Sequence, residues 1–164
     1  MTPRFGIVGA KNTGKTTLVC ALVRELTARG LRVATVKHAH HSFEIDHEGT
    51  DSFAHREAGA VQVVVAGSKR WAIIRELAAE QEPTLDELVA RLDPVDLILI
   101  EGFKTGDHPK LELRMEGRTL AADRFRNVVT TAGDGQPYSR NDVVGIANMI
   151  VQRFELPARV RAPA

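Results

Sequence analysis

Cysteine is nearly absent from this 164-residue chain, and strong net charge and long apolar runs are missing. The single Cys20 excludes an internal disulfide framework and indicates a reducing compartment. Lys and Arg total 22 against 21 Asp and Glu, so the overall charge gives no argument for binding nucleic acid or a membrane. No run reaches the roughly 20 apolar residues of a membrane span, and the N-terminus lacks the apolar core of a signal peptide. We therefore expect a cytoplasmic protein that binds neither nucleic acid nor membrane.

Internal repeats, low-complexity blocks and long linkers are also missing, so we predict a single domain over residues 1–164. Short apolar segments alternate with helical patterns, two of which stop at Gly30 and Gly59. The run VDLILIE is almost wholly apolar, as in a parallel strand that is covered on both faces. This pattern predicts an α/β fold, with a mostly parallel sheet and helices on both faces. Ligands of such folds lie at the carboxyl ends of the strands.

The predicted elements follow the chain in order. Predicted strands are RFGIV, LRVATVK, VQVVVA, VDLILIE and NVVTT, with WAIIRE as a further candidate. Predicted helices begin near Lys15, Thr50, Leu85 and Asn141, with Asn141 as the N-cap of the last one. The segment Leu111 to Arg126 is left without an assigned strand.

The stretch from Gly9 to Thr16 reads GAKNTGKT and matches the phosphate-loop pattern G-x-x-x-x-G-K-[ST] between a strand and a helix. Its glycines permit backbone torsions that let successive N–H groups surround a polyphosphate at the positive end of the following helix. The Lys15 ammonium can reach the β and γ phosphates, and the Thr16 hydroxyl can bind Mg²⁺. The sequence therefore predicts that the nucleotide is bound by Gly9, Asn12, Thr13, Gly14, Lys15, Thr16 and Thr17.

A nucleotide site also needs an acidic group, and the segment DLILIEGFK offers two. Asp96 begins the apolar strand, whereas Glu101 ends it at the carboxyl edge beside the phosphate loop. We therefore predict that Glu101 holds Mg²⁺ through a water or orients an attacking water. A salt bridge or a strand-end turn is the alternative role. Gly102 would permit a close approach to the γ phosphate, and Lys104 is included among the nucleotide-binding residues.

A histidine-rich segment follows the second strand, KHAHHSFEIDHEGTDSFAHREAG. One interpretation makes His38, His40, His41 and Asp46 ligands of zinc or nickel. The other is a polar loop that positions Mg²⁺, binds an anionic substrate or docks a partner. In that case Asp46 and Asp51 act near the nucleotide metal, and Arg56 binds phosphate or forms a surface salt bridge.

Taken in order, GAKNTGKTTL, VKHAHHSFEIDHEGTDSFAHREAGA, RWAIIRE, DLILIEGFK and NDVVGIANMIVQRF resemble the molybdopterin-guanine dinucleotide biosynthesis adaptor (MobB) family. The resemblance spans nearly the whole chain, and the His-rich segment together with EGFK is its most specific part. It implies a homodimeric, GTP-binding P-loop protein that hydrolyses GTP slowly at most. Such a protein assists a separate guanylyltransferase, which attaches GMP to molybdopterin, and molybdopterin is a further possible ligand.

The resemblance also assigns roles to residues of this sequence. The phosphate loop corresponds to Gly9, Gly14, Lys15, Thr16 and Thr17, and Glu101 corresponds to the acidic strand end. The segment from His38 to Asp51 lines the same cleft. GTP with Mg²⁺ is the implied cofactor, and the predicted metal ligands are Thr16, Asp46 and Glu101.

The choice of guanine is open at the level of sequence, because the N-K-x-D signature of typical GTPases is absent. Asp134, in TTAGD, can accept hydrogen bonds from guanine or can be a turn residue before Gly135. Two other functions also stay open. A small-molecule kinase would use the same phosphate loop, and a metal-delivery GTPase would use the histidines.

Overall fold

A computed structural model describes residues 1–39, 43–77, 82–115 and 124–157. Its strands are β1 (Arg4–Gly9), β2 (Val33–Lys37), β3 (Gln62–Ala66), β4 (Trp71–Arg75), β5 (Leu97–Glu101), β6 (Lys110–Leu113) and β7 (Val128–Ala132). Its helices are α1 (Lys15–Ala28), α2 (Asp51–Glu57), α3 (Leu85–Val89) and α4 (Val143–Arg153). None of the helices among the described residues is long and apolar enough to cross a membrane.

The chain forms two compact units, one of residues 1–38 and 85–164 and the other of residues 39–84. The first unit contains a five-stranded sheet with α1, α3 and α4. The second contains α2 and an antiparallel hairpin in which β3 pairs with β4. WAIIRE is therefore a strand, but it lies in the hairpin rather than in the main sheet. The single domain over the full length stays a prediction.

All strands of the five-stranded sheet are parallel, in the order β2-β5-β1-β6-β7. Parallel strands need crossover connections, and those connections bring the carboxyl ends of the strands to one edge. Glu101 at the end of β5 lies opposite Ile7 of β1 on one side and Lys37 of β2 on the other. The predicted α/β fold with a mostly parallel sheet is thus confirmed, and the phosphate loop begins at the same edge.

The sequence of β5 is almost uniformly apolar because both faces of the strand are covered. Leu97 and Leu99 join a core cluster with residues of α1 and α4, whereas Ile98 and Ile100 join a second cluster with residues of α3. Alternate side chains of a strand point to opposite faces, so the two clusters lie on opposite faces of the sheet. Each fully buried side chain of this size contributes about 1.5–3 kcal/mol to folding. These two layers hold the carboxyl edge of β5 in place.

The ends of the helices agree with the sequence except at α4. Helix α2 is capped by Thr50, whose hydroxyl accepts from the backbone N–H of Phe53. The predicted cap of α4, Asn141, is wrong. Asp142 caps that helix instead, because its carboxylate accepts from the N–H of Gly145 at 2.9 Å. Asn and Asp are almost equally good caps, so adjacent Asn and Asp residues leave the first turn ambiguous in sequence.

Strand β6 was not assigned from the sequence. It runs between β1 and β7, and its charged residues Lys110 and Glu112 are both buried, with 0% and 6% of their surface exposed. Charged residues are almost never fully buried unless they are paired, so the sequence KLEL gave no sign of a buried strand. Residues 116–123 of the unassigned segment lie outside the described part of the chain.

Candidate functional site

The phosphate loop connects β1 to α1 and is closed by its own contacts. The Thr13 hydroxyl donates to the carbonyl of Ala10 at 3.0 Å, and the Lys15 ammonium donates to the same carbonyl at 2.6 Å. Thr13 is buried, whereas Lys11 and Asn12 are exposed. The side chain of Thr13 therefore shapes the loop, and Lys15 lies across it.

Two glycines of the loop are needed for different reasons. Gly14, the residue before α1, has φ 88°, a left-handed conformation that side chains rarely adopt, and a Cβ there would meet no atom within 4 Å. Gly9 instead lies against β6, where a Cβ would come within 2.7 Å of the carbonyl oxygen of Leu113. The first turn of α1 contains no acidic residue of its own, and its N-terminal N–H groups and positive dipole end favour an anion. This loop and helix end therefore fit a polyphosphate.

Thr16 and Glu101 meet at the carboxyl edge of the sheet. The Thr16 hydroxyl donates to both carboxylate oxygens of Glu101, at 2.8 and 3.0 Å. Glu101 is 8% exposed, and its place is fixed by pairing of β5 with β1 and β2. A hydroxyl and a carboxylate are hard oxygen ligands of the kind that Mg²⁺ prefers. The pair therefore fits a divalent cation that accompanies phosphates.

The other acidic candidate of this strand lies elsewhere. Asp96 precedes β5, at the edge of the sheet away from the phosphate loop, and its carboxylate accepts from the backbone N–H of Arg32 at 2.7 Å. Its oxygen also lies 3.6 Å from the Arg32 guanidinium. Asp96 thus stabilises the start of β2, whereas Glu101 is the carboxylate beside the loop.

Lys37 also belongs to this site, although it is not among the residues predicted from the sequence. Its ammonium lies 3.5 Å from Oε1 of Glu101 and 3.5 Å from the Thr16 hydroxyl oxygen. The available signal was register: Lys37 ends β2 directly opposite the end of β5. These residues lie at one end of a groove of about 430 Å³ between α1 and β2. The groove is further lined by Val19, Cys20, Val23, Arg24, Thr35 and Val36.

Positive charge converges on Lys15. Burial lowers the pKa of Lys15; the Glu101 carboxylate opposes this shift, and the ammonium groups of Lys104 and Lys37 add to it. Lys104, predicted from EGFK, is therefore close enough to interact electrostatically with the phosphate loop. Three cations around one carboxylate create a positive field suited to an anion.

Gly102 and His38 lie next to Glu101. The N–H of His38 donates to the carbonyl of Glu101 at 2.9 Å, and the His38 ring packs against Phe103 with 4.9 Å between ring centroids. Gly102 has φ 94°, and a Cβ there would come within 2.9 Å of the Cβ of His38. The close approach of His38 therefore requires this glycine. Contact of either residue with a phosphate stays a prediction.

Asp46 and Arg56 form an ion pair inside the second unit. Arg56 donates to both carboxylate oxygens of Asp46, at 3.0 and 2.8 Å, and also to Glu76 at 2.7 Å. Hydrogen bonding to Arg56 lowers the pKa of Asp46. This is the salt bridge that the sequence left as an alternative. Asp51 is the exposed first residue of α2, and the predicted roles of Asp46 and Asp51 beside Mg²⁺ stay predictions.

Asp134 follows β7 and is exposed. Its carboxylate accepts from Arg140 at 3.1 Å. Arg140 and Asn141 line a groove of about 270 Å³ on the other side of the phosphate loop, together with Thr13, Gly14, Thr17, Leu18, Ala21, Leu113 and Val143. Arg140 was not selected from the sequence, and an arginine in SRND gives no signal by itself. The groove borders the phosphate loop and is a candidate position for a nucleobase.

The histidines do not form a metal centre within the described residues, which contain no group of three or more His, Cys, Asp or Glu side chains placed to hold a metal ion. His40 and His41, two of the ligands proposed for zinc or nickel, lie outside the described residues. Of that set, His38 lies in the first unit and Asp46 in the second.

Comparison with known proteins places the chain in a family. The family model described as "MobB: Molybdopterin guanine dinucleotide synthesis protein B" matches residues 5–134. The chain belongs to the MobB family. It is 37% identical over 164 residues to the molybdopterin-guanine dinucleotide biosynthesis adapter protein of Escherichia coli, covering 93% of each chain. It is 43% identical over 137 residues to the Haemophilus influenzae protein of the same name, covering 82% of this chain and 76% of that one.

Solved structures of the MobB family have the same fold. A crystal structure of molybdopterin-guanine biosynthesis protein B matches with a TM-score of 0.73 and 28% identity, covering 93% of this chain and 99% of that one. The structure of Bacillus subtilis MobB matches with a TM-score of 0.71 at 24% identity, covering 96% and 99%, which supports the fold. Family membership and the loop between β1 and α1 together identify a nucleotide-binding protein of the P-loop type.

Proposed function

We propose that the protein is a GTP-binding adaptor in molybdenum cofactor biosynthesis, where it assists the guanylyltransferase that attaches GMP to molybdopterin. The names of its relatives support the pathway and the adaptor role, and an adaptor implies a partner enzyme. The observation that supports the nucleotide part most strongly is the Thr16 hydroxyl on the Glu101 carboxylate beside the phosphate loop.

Different residues of the site bind the phosphates of GTP and Mg²⁺. Backbone N–H groups of the loop and the Lys15 ammonium bind the phosphates, while Thr16 and Glu101 hold Mg²⁺ directly or through water. Bound Mg²⁺ supplies charge neutralisation on the phosphate oxygens. Glu101 also orients a water for slow hydrolysis of GTP at most. Its nearly complete burial leaves it little freedom, as a positioning role requires.

Guanine preference is assigned to Asp134. Its carboxylate accepts hydrogen bonds from the N1 and N2 donors of guanine, which adenine lacks. The position after β7 and the contact with Arg140, a lining residue of the groove of about 270 Å³, support this assignment. Asp134→Ala is expected to reduce the preference for GTP over ATP.

The hairpin is proposed as a contact with a second copy of the chain. Val64 of β3 lies opposite Ile73 of β4, and Trp71 lies two residues further along the same face. These three side chains are 63%, 47% and 66% exposed. An isolated two-stranded hairpin is marginally stable in water, so an apolar face of this kind favours pairing. Light scattering of the purified protein is expected to give twice the mass of one chain.

Reconstitution tests the adaptor role. The purified chain is added to its guanylyltransferase with molybdopterin, GTP and Mg²⁺, and formation of the dinucleotide is measured. Addition is expected to increase product, and Lys15→Ala is expected to abolish that increase without unfolding the domain. Arg91→Ala, which removes a charge from the exposed turn after α3, serves as the control. An equal increase with Lys15→Ala would contradict a nucleotide-dependent role.

A further inference from the structure

Lys37 is a cation that neither the phosphate-loop pattern nor the family resemblance assigned. We propose that Lys37 is a further phosphate-binding residue, which makes the site favour a nucleoside triphosphate over the diphosphate. This inference rests on the proposed GTP-binding function and concerns the same edge of the sheet.

The position of Lys37 is dictated by the sheet. Lys37 and Glu101 are the last residues of neighbouring parallel strands and are Cα partners in the register. Both side chains therefore leave the same face at the carboxyl edge. Strand register places the ammonium beside Thr16 and Glu101, and no loop conformation is needed to bring it there.

The contacts of Lys37 are weak enough for its ammonium to leave Glu101 and Thr16 and bind an anion instead. Its distances to the Glu101 carboxylate and the Thr16 hydroxyl, both 3.5 Å, are long for hydrogen bonds. Its side chain is 57% exposed, against 11% for that of Glu101. Because both contacts are long and the lysine end of the pair is open to solvent, Lys37 can leave Glu101 at little cost.

Charge supplies the reason for triphosphate preference. Lys15, Lys37 and Lys104 outnumber the single Glu101 carboxylate in this cluster. A bound Mg²⁺–triphosphate carries more negative charge than the corresponding diphosphate complex, and the difference resides on the terminal phosphate. A cation at the metal-ligand end of the site therefore gains more from the triphosphate. Loss of Lys37 therefore reduces the preference for the triphosphate.

The test compares affinities for GTP and GDP, each with Mg²⁺, by calorimetric titration of the wild type, Lys37→Met and Lys69→Met. Lys37→Met is expected to weaken GTP binding about tenfold more than GDP binding, as loss of one charge-assisted contact would. Lys69→Met removes the same charge from an exposed turn and is expected to keep the wild-type ratio of the two affinities. Lys37→Arg, which keeps the charge, is expected to restore most of that ratio.

Three results would overturn the inference. If Lys37→Met leaves both affinities unchanged, Lys37 is only a salt-bridge partner of Glu101. If it weakens GTP and GDP binding equally, Lys37 does not discriminate between triphosphate and diphosphate. The proposed function still stands in both cases. If the wild type binds neither nucleotide, the proposed function fails as well. Circular dichroism of each variant shows that a change in ratio does not come from unfolding.

Discussion

The main sheet contains two buried polar clusters, and each holds a buried charged group by a different kind of contact. At the phosphate loop, the Glu101 carboxylate is held by the Thr16 hydroxyl, with an exposed lysine on its open side. At β6, the fully buried ammonium of Lys110 donates to three backbone carbonyls, those of Gly106, His108 and Arg126. One charge faces a groove, and the other is enclosed by the chain itself.

The partners of a buried charged group indicate whether it belongs to a ligand site or supports the structure. Backbone carbonyls cannot rotate away, so Lys110 fixes the loop before β6 to the segment before β7. Burial lowers the pKa of Lys110 to about 8, which still leaves the group charged at pH 7. The Thr16 hydroxyl and the exposed Lys37, in contrast, can release Glu101 to another ligand.

The largest effect is expected on removing the Lys110 ammonium. Lys110→Met leaves three carbonyls without their donor and is expected to lower the free energy of unfolding by about 3 kcal/mol, because a buried unpaired acceptor costs about 1–3 kcal/mol. Urea denaturation followed by circular dichroism measures the change, with Lys69→Met as the control. A variant as stable as the wild type would show that the carbonyl cage is not a structural support.

His108 is expected to make stability depend on pH. It is 9% exposed, and burial with the nearby Lys110 and Arg4 lowers its pKa from 6.5 to about 4. The unfolded chain then binds a proton near pH 6.5 that the folded chain takes up only near pH 4. Stability from neutral His108 is therefore present above about pH 6.5 and falls between there and pH 4, by about 3 kcal/mol.

His108→Gln is the comparison for that pH dependence. Glutamine has no titration in this range, so urea midpoints measured at pH 7 and pH 4.5 are expected to differ less for the variant than for the wild type. The same pH-dependent loss in both proteins would mean that other groups cause it.

Replacing Glu101 is expected to change stability the least, but it is expected to weaken the binding of GTP with Mg²⁺. Glu101→Gln keeps an acceptor for Thr16 but removes the charge that faces Lys37, so the free energy of unfolding is expected to fall by about 1 kcal/mol. GTP affinity with Mg²⁺ is expected to fall about tenfold, as for one charged contact, whereas affinity in EDTA does not fall. Equal losses with and without Mg²⁺ would remove Glu101 from the metal site.

The sequence predicted one of the two clusters and missed the other for a physical reason. The phosphate loop is a local pattern, and the single carboxylate ending an apolar strand marks Glu101, so both were found from short segments. Lys37 needed the register between strands distant in sequence. Lys110 needed the backbone carbonyls that surround it, and a buried lysine in KLEL has no local signal. Adjacent Asn141 and Asp142 gave two equivalent caps, and only the structure selects one.

Calorimetric titration with GTP and with ATP, each with Mg²⁺, on the wild type and Lys15→Ala tests the central claim most directly. We expect the wild type to bind GTP more tightly than ATP and Lys15→Ala to lose at least about a hundredfold in affinity while keeping its fold. Unchanged affinity in Lys15→Ala would contradict the assignment of the phosphate loop. Tighter binding of ATP would keep the loop but contradict the GTP-binding adaptor and favour a small-molecule kinase.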